Sequence, residues 1–397
     1  MLATLKADFF KQNRQKLINL ATDQTIILIA NDYIQKSLDQ NYPFKQDNNF
    51  WYFCGIDIAN LILVFNKDSQ FLILPKQNKY QQIFDGSIPK TSISKQSGIN
   101  EILDYDLGLE KLKAIISKNK KIGTIIIPKI KHLNRINNQN QIRLLRLLKR
   151  IDSKLEINNL GKEVAGLRMI KSISEIELIK EASKITINAI SKITKEILNF
   201  ERSTQIDKAL LIDFLKNGSS GHSFDPIIAS GKNSTIIHFN QTNSKILKNR
   251  LLLLDVGCVF NNYASDISRT IAVGNPSNRE LNVLNAVKRV QEQLIKSLKP
   301  GLSFADLEGL TKKLIFEELI NLKVVTKNDF KKVRNFYPHA VTHSLGLDVH
   351  DFADYSLNLT PNMVITIEPG IYLQEEGIGV RFEDDILITN SGAKVLK

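Results

Sequence analysis

The first 160 residues alternate short apolar runs with amphipathic stretches. Four apolar runs have the length of buried strands, at residues 26–30, 61–65, 71–74 and 124–127. Residues 111–118 and 141–149 have the apolar spacing of helices. The tripeptide Asn66-Lys67-Asp68 separates two of the strands and predicts a hairpin. This alternation predicts an α/β domain over residues 1–160.

A different pattern begins after a turn cluster at residues 158–161. Ser172 and Glu175 have the spacing of a capping box, which predicts a helix to about Leu198. Ser277 and Glu280 predict the start of another long helix in the same way. Further helices are expected at 203–216 and from 303, and strands at 225–229, 251–259, 264–273, 363–367, 371–373 and 380–388. Mostly antiparallel strands with these helices predict an α+β domain over residues 161–397.

Length and composition agree with two globular domains. The chain has 397 residues, of which 43% are hydrophobic and 24% are charged. No stretch approaches the roughly 18 apolar residues of a membrane helix, and charges interrupt the N-terminus where a signal peptide would be apolar. Cys54 and Cys258 are too few for a disulfide framework. We therefore expect a cytoplasmic protein without a membrane partner.

The net charge of +13 raises the question of a nucleic-acid partner. The lysines are spread along the chain and do not form the clustered basic face of such proteins. The joint excess of Ile, Asn and Lys is typical of an AT-rich coding background. We therefore expect no binding of nucleic acid.

Four carboxylates and one histidine stand near the ends of predicted strands in the second domain. Asp255 closes a run of four leucines, where an unpaired carboxylate would be costly, and Asp266 lies across the predicted hairpin. The other three are His343, Glu368 and Glu383. Each alone has an ordinary structural explanation, but together they suit a pair of divalent ions. The oxygen-rich set favours Mn²⁺ over a thiolate-type zinc site.

The sequences around these five residues resemble the metal motifs of the pita-bread metallopeptidases. This family contains the Xaa-Pro aminopeptidases, the Xaa-Pro dipeptidases and the methionine aminopeptidases. The matching segments are residues 255–258, 263–270, 343–351, 367–372 and 381–385. Residues 42–46 and 49–55 are similar to the N-terminal domain of aminopeptidase P, which methionine aminopeptidases lack. The resemblance implies an α/β N-terminal domain followed by an α+β pita-bread catalytic domain.

The resemblance also implies a role for each candidate ligand. Asp255 is expected to serve one ion, and Asp266 and Glu383 to bridge the two. His343 and Glu368 are expected to complete the shell of the other ion. A water held between the ions is the expected nucleophile, because two cations lower its pKa. Glu368 is also similar to the carboxylate that shuttles a proton.

Four more residues match family positions outside the metal shell. His238 resembles the histidine near the scissile bond, and His350 the one that stabilises charge on the carbonyl oxygen. His339 resembles a histidine that lines the proline pocket. Arg381 resembles the arginine beside the last ligand. His132 and His222 match no such position, and we expect ordinary structural roles for them.

The resemblance implies an Xaa-Pro aminopeptidase, which releases an N-terminal residue when proline follows. The alternative is a prolidase restricted to dipeptides, and cleavage of Xaa-Pro-Yaa separates the two. The complete ligand set argues against a metal-free relative that acts as a binding module or hydrolyses a small guanidino compound. The expected partners are peptides that contain proline and other copies of the chain, in a dimer or tetramer.

Overall fold

The structure is a computed structural model that describes residues 5–127 and 139–397. His132 lies outside the described residues. The chain divides into two compact units, and the division falls between Leu167 and Arg168. Each unit has its own sheets.

The first unit is built on a mixed six-stranded sheet, and a short separate hairpin precedes its second helix. Its strands are β1 (Thr25–Ile29), β2 (Gln35–Ser37), β3 (Gln40–Asn41), β4 (Ile62–Phe65), β5 (Gln70–Ile73), β6 (Glu101–Leu103), β7 (Lys121–Thr124) and β8 (Glu156–Asn159). The sheet order is β6-β5-β4-β1-β7-β8. The hairpin of β4 and β5 confirms the prediction, and Asn66 Oδ1 accepts the N–H groups of Asp68 and Ser69 at its turn.

Helices accompany this sheet, and some of them bury its apolar side chains. They are α1 (Ala7–Leu20), α2 (Asn48–Cys54), α3 (Lys79–Asp85), α4 (Lys90–Ser97), α5 (Tyr105–Lys118), α6 (Gln139–Ile151) and α7 (Gly161–Met169), the last of which crosses the division. Leu112 of α5 and Leu144 of α6 pack in one cluster with Ile27 and Val64 of the sheet. The α/β prediction is confirmed.

One strand of the first unit lies elsewhere than predicted. Residues 124–127 were expected to be a strand, but β7 ends at Thr124. Beyond that point the Ile126 N–H donates to the side chain of Asn159 in β8 instead of to a backbone carbonyl of that strand. An apolar run alone therefore misplaced the strand.

The second unit begins with two long helices in sequence. Its helices are α8 (Ile173–Lys195), α9 (Ser203–Lys216), α10 (Asn278–Ser297), α11 (Phe304–Asn321) and α12 (Val333–Phe336), with 3₁₀ turns at Ile197–Asn199, Gly231–Thr235 and Phe330–Lys332. Both predicted capping boxes are present. Ser172 accepts the Glu175 N–H at the start of α8, and Ser277 accepts the Glu280 N–H at the start of α10. These local signals fix the beginning of each helix.

The strand pairings within the described part of the second unit are antiparallel. The strands are β9 (Gly221–His222), β10 (Ile227–Ser230), β11 (Arg250–Val256), β12 (Cys258–Phe260), β13 (Tyr263–Ala264), β14 (Ile267–Val273), β15 (Val364–Ile367), β16 (Gly370–Leu373), β17 (Ile378–Arg381), β18 (Asp384–Ile388) and β19 (Ala393–Val395). Asn261 and Asn262 form the turn between β12 and β13. Their φ angles of 46° and 72° lie in the left-handed region that a tight two-residue turn needs. The α+β prediction is confirmed.

The continuous strand predicted at 380–388 is wrong. β17 ends at Arg381 and pairs with β16, whereas β18 begins at Asp384 and pairs with β15. Phe382 and Glu383 therefore belong to neither strand and connect two separate antiparallel pairs. In the hydrophobic core of this unit, Val287 and Leu294 of α10 pack in one cluster with residues of β15 and β17. Among the described residues, no helix has both the length and the apolarity to cross a bilayer.

Candidate metal-binding active site

The hairpin of β11 and β14 carries the first two carboxylates. Asp255 lies directly opposite Ser268 in the antiparallel register. Asp266 comes just before β14 and two residues before Ser268, so the two aspartates are diagonal neighbours and not directly opposed. Both are buried, at 8% and 5% exposed. The two side chains therefore lie on the same face of the paired strands and away from solvent.

Glu368 and Glu383 enter the same site from the breaks between strands. Glu368 joins β15 to β16, and its N–H donates to the Val341 carbonyl at 2.9 Å. Glu383 joins β17 to β18, and its N–H donates to the Ser268 carbonyl at 3.0 Å. The Ser268 hydroxyl donates to Glu383 Oε2 at 2.7 Å. Ser268 thus ties the hairpin of β11 and β14 to the segment that carries Glu383.

His343 brings an imidazole to these carboxylates. Its Nε2 lies 3.4 Å from Asp266 Oδ2, 3.5 Å from Glu368 Oε1 and 3.8 Å from Glu383 Oε1. Ligand atoms of Asp266, His343 and Glu383 all lie within 4.8 Å of one another. His343 Nδ1 is 3.1 Å from the Ser344 carbonyl. A proton on Nδ1 would be donated there, which leaves the Nε2 lone pair directed at the carboxylates.

The chemistry of this cluster fits a bound divalent cation. Burial, and then repulsion from neighbouring carboxylates, raises the pKa of Asp266 and Glu383 well above the usual range. Burial also raises the pKa of Glu368. Asp255 Oδ1, Asp266 Oδ1 and Glu383 Oε1 are buried and accept no hydrogen bond from any described residue. Such oxygens are costly to bury unless a cation or donor satisfies them, and oxygen ligands with one imidazole suit Mn²⁺ and similar ions.

Arg381 is a cation built into the wall of this cluster. Its guanidinium is buried and donates through Nη2 to Asp255 Oδ2. The Nε group donates to Ser268 Oγ, and Nη1 donates to the Tyr372 hydroxyl, both at 2.8 Å. One oxygen of Asp255 therefore accepts a hydrogen bond from Arg381, while the other has no hydrogen-bond partner in the part of the chain that the structure describes.

One cavity of about 510 Å³ brings the predicted site residues together. Its lining includes Asp255, Asp266, His238, His339, His343, His350, Glu368, Arg381 and Glu383. Phe224, Ile237 and Val349 supply part of an apolar wall. The cavity therefore combines a carboxylate cluster with room for a small organic group.

Two of the histidines are held neutral at ordinary pH. Burial, and then the nearby Arg381 charge, lowers the pKa of His339 to about 3. Burial, and then His343 and His238, lowers the pKa of His350 to about 4. The His339 Nε2 atom is 2.9 Å from the Tyr372 hydroxyl. A neutral imidazole offers one N–H donor and one acceptor, so each can orient a polar group without adding charge.

The two other histidines of the described residues differ in position. His238 follows the 3₁₀ turn Gly231–Thr235 and is exposed within the cavity lining. His222 lies on β9, with Nε2 3.0 Å from Asp207 Oδ1 and its ring edge on Phe214. His222 is not among the residues that line the cavity. Its surroundings are those of a packed structural histidine.

Ser268 and Tyr372 belong to the site but were not singled out from the sequence. Ser268 contacts both Glu383 and Arg381, and Tyr372 contacts both His339 and Arg381. The alternation of Asp266, Ser268 and Thr270 along one strand was the available signal, because these positions face the same side. The contacts of Tyr372 depend on a different strand pair and had no such local signal.

The model of metallopeptidase family M24 matches residues 177–390, which is more than half of the chain and spans every residue that lines the cavity. The chain belongs to metallopeptidase family M24. A second model, the aminopeptidase P N-terminal domain, matches residues 10–125. The two matches account for the two units in order.

Named relatives of this M24 chain span almost its full length. Xaa-Pro aminopeptidase 3 of Mus musculus is 30% identical over 404 residues, which covers 94% of this chain and 78% of the relative. The Xaa-Pro aminopeptidase of Escherichia coli is 26% identical, covering 96% of this chain and 92% of the relative. A solved structure from Bacillus anthracis, provisionally assigned as an aminopeptidase P, has a TM-score of 0.90 at 30% identity and covers 99% of this chain and 95% of that one.

The family and the fold are thereby established. The chain is a metallo-aminopeptidase with an N-terminal α/β domain and a pita-bread catalytic domain, as the sequence predicted. The metal-binding chemistry of the family agrees with the cluster of Asp266, His343 and Glu383.

Proposed function

We propose that this protein releases the N-terminal residue from peptides that have proline in second position. The observation that carries the proposal is the cavity that His343 lines together with the candidate ligands Asp255, Asp266, Glu368 and Glu383. It lies in a chain similar over nearly its whole length to proteins named Xaa-Pro aminopeptidases. Proline removes an N–H group and fixes the backbone, so such bonds need a dedicated pocket.

The proposed cofactor is a pair of divalent ions, with Mn²⁺ as the expected metal. Asp255, Asp266, His343, Glu368 and Glu383 would hold them. When bound, such a pair supplies Lewis acidity and a water of lowered pKa. The oxygen-rich donor set supports Mn²⁺ over zinc bound by thiolates.

The protein's own groups would divide the remaining work. Glu368 is a partly buried carboxyl with a raised pKa, 3.6 Å from His339 Nδ1, and is suited to accept a proton and pass it on. Neutral His350 would donate a hydrogen bond to the carbonyl oxygen as negative charge develops there. His238 stands at the exposed end of the cavity, where it would contact the peptide near the scissile bond.

The proline side of the substrate would lie against His339. Tyr372 links two residues of this wall, because its hydroxyl accepts a hydrogen bond from Arg381 Nη1 and lies 2.9 Å from His339 Nε2. The apolar side chains of the cavity accept a ring without hydrogen-bond donors. The free amino group would be held near the carboxylates, which attract an ammonium ion.

A dipeptidase is the second candidate function. The Xaa-Pro dipeptidase of Pyrococcus furiosus is 31% identical over 302 residues, which covers 74% of this chain and 82% of the relative. This match covers less of the chain than those of the aminopeptidases. Peptide length separates the two functions, because only an aminopeptidase cleaves Xaa-Pro-Yaa.

The test is to load purified protein with Mn²⁺ and supply Xaa-Pro, Xaa-Pro-Yaa and Xaa-Ala-Yaa peptides. Mass spectrometry should detect free Xaa and Pro-Yaa from the second peptide, with little cleavage of the third. Cleavage of Xaa-Pro alone would favour the dipeptidase. Cleavage of Xaa-Ala-Yaa at an equal rate would contradict the proline requirement.

We also propose a homo-oligomer in a reducing compartment such as the cytoplasm. Helix α3 has no buried residue, and its Tyr80, Ile83 and Phe84 are more than two-thirds exposed. A face of this kind supports contact with another copy. Cys54 and Cys258 are both free and buried, in agreement with a reducing environment. Light scattering of the wild type and of Phe84→Ser would test the assembly, since a monomeric wild type would contradict it.

A further inference from the structure

Three charged side chains are completely buried beside the active site without a role in the function above. Arg168 and Lys171 each have a side chain that is 1% exposed, and that of Asp351 is 2% exposed. Buried charges are costly and are often no more stabilising than apolar residues of the same size. Their presence therefore calls for an explanation beyond stability.

The three residues form one network centred on the Asp351 carboxylate. Asp351 Oδ1 accepts hydrogen bonds from Arg168 Nη2 and from the Asp348 N–H, the latter at 3.2 Å. Asp351 Oδ2 accepts from Lys171 Nζ at 3.1 Å. Arg168 Nη2 also donates to Asp348 Oδ2 at 2.8 Å. Two positive and two negative groups thus compensate one another.

The network joins the two ends of a loop, residues 343–351, that carries two active-site histidines. The Asp351 N–H donates to the Ser344 carbonyl at 2.8 Å, and Lys171 Nζ lies 3.3 Å from Ser344 Oγ. Ser344 directly follows His343, and Asp351 directly follows His350. The imidazole rings of these two histidines meet edge to face, with centroids 4.4 Å apart.

The loop also wraps closely around the carboxylate. A side-chain carbon on Gly346 would lie 2.4 Å from Asp351 Oδ2. The Gly346 carbonyl accepts the Ala264 N–H at 2.8 Å, two residues before Asp266. The loop is therefore fixed from within by Asp351 and from outside by the chain segment that leads to Asp266.

We propose that Arg168, Lys171 and Asp351 are positioning residues that set the places of His343 and His350. Arg168 and Lys171 hold Asp351, and Asp351 holds both ends of the loop. Loss of the network would shift His343 relative to the carboxylates and His350 relative to the substrate. This inference rests on the proposed function, in which His343 binds metal and His350 contacts the reacting carbonyl.

The main variant is Asp351→Asn, which keeps the shape but removes the charge. Glu280→Gln is the matched control. Glu280 is another buried carboxylate, which accepts from Arg250 Nε at 2.8 Å and from the Leu251 N–H at 3.2 Å, and it does not line the active-site cavity. Both changes should lower the melting temperature, so stability alone does not separate them.

Three measurements do separate them. In the metal-free protein, hydrogen exchange of residues 344–351 should be faster in Asp351→Asn only. The Kd for Mn²⁺, measured from the electron paramagnetic resonance of the free ion, should rise by about 10-fold or more in Asp351→Asn and stay unchanged in Glu280→Gln. A rise of this size is typical when a residue that orients metal ligands is lost. At saturating Mn²⁺, kcat should fall while KM changes little. Unchanged Kd and kcat in folded Asp351→Asn, or equal changes in Glu280→Gln, would overturn the proposal.

A second pair of variants covers the case in which Asp351→Asn does not fold. Arg168→Met removes the charge from the network, and Arg168→Lys keeps it. The Kd for Mn²⁺ should rise in the first variant and recover in the second, whereas equal values in both would overturn the proposal. If the wild type binds Mn²⁺ but cleaves no Xaa-Pro-Yaa, the proposed function fails, while loop exchange and Mn²⁺ affinity still test the network.

Discussion

Asp266→Asn should make the metal-free protein more stable while weakening its binding of metal. Asp266 is buried beside other carboxylates, and Asp266 Oδ1 has no hydrogen-bond partner among the described residues. Without a cation, ionised Asp266 opposes folding because of burial and repulsion. The amide has nearly the same shape and removes the charge. The gain in stability and the loss of metal affinity should therefore occur together.

The structure bounds the size of the gain. Ligand atoms of Asp266 and Glu383 lie within 4.8 Å, so two ionised groups would repel by about 3 kcal/mol at an effective dielectric constant of about 20. Protonation can relieve this repulsion, and protonating a carboxyl of ordinary pKa at neutral pH costs about 4 kcal/mol. We therefore expect the substitution to raise the free energy of unfolding by about 1–3 kcal/mol. The melting temperature should rise by about 2–4 °C for each kcal/mol of added stability, as is typical of a domain of about 150–250 residues.

The pH dependence has a definite sign. The pKa of Asp266 is higher in the folded protein than the ordinary 3.8. Ionisation is thus less favourable in the folded state, so the wild type loses stability as the pH rises above the unfolded pKa. The advantage of Asp266→Asn should be largest at neutral pH and should disappear near pH 4.

Calorimetry of the metal-free protein in EDTA, and separately in Mn²⁺ without EDTA, measures both effects. Asp225→Asn is the matched control, because Asp225 lines the same cavity outside the cluster of candidate ligands. Mn²⁺ should raise the transition temperature of the wild type and of the control more than that of Asp266→Asn. A variant less stable than the wild type in EDTA, or one with unchanged Mn²⁺ affinity, would refute the reasoning.

Three further predictions concern catalysis. Glu383→Ala should abolish peptide hydrolysis and lower bound metal, and normal turnover with full metal content would contradict its role as a ligand. His350→Ala should keep its metal but slow kcat by roughly 10²–10³-fold, the usual cost of one oxyanion donor, so loss of metal would point to a structural role. Acetylation of the amine of Xaa-Pro-Yaa should lower kcat/KM at least about tenfold, or about 1.4 kcal/mol, and equal rates on both peptides would argue against an aminopeptidase.

Much of the fold could be predicted because the signals were local. The capping boxes at Ser172 and Ser277 involve residues three positions apart and mark the correct helix starts. The Asn261-Asn262 turn likewise needs only its own backbone conformation. Such features do not depend on distant parts of the chain.

The errors arose where tertiary pairing decided the structure. Residues 380–388 were predicted as one strand although Glu383, Asp384 and Asp385 interrupt the apolar residues. In the structure β17 and β18 pair with different strands and leave Glu383 between them. Asp255 pairs with Ser268 and is therefore two residues out of line with Asp266. This register between the strands could not be derived from the hydrophobic pattern alone. Apolar periodicity alone therefore could not define the site geometry.

Candidate ligands were visible as carboxylates in apolar surroundings, but the residues that support them were not. Arg168 and Asp351 are far apart in the sequence, and no local pattern connects them. The link from His339 through Tyr372 to Arg381 also joins separate elements. These contacts depend on the folded arrangement of several strands and loops.

Product analysis of one peptide tests the central claim most directly. The protein is loaded with Mn²⁺ and incubated with an Xaa-Pro-Yaa peptide, and the products are identified by mass spectrometry. The account predicts free Xaa and Pro-Yaa in equal amounts, with no release by Glu383→Ala. An intact peptide after loading with Mn²⁺, or a cut after proline, would contradict it.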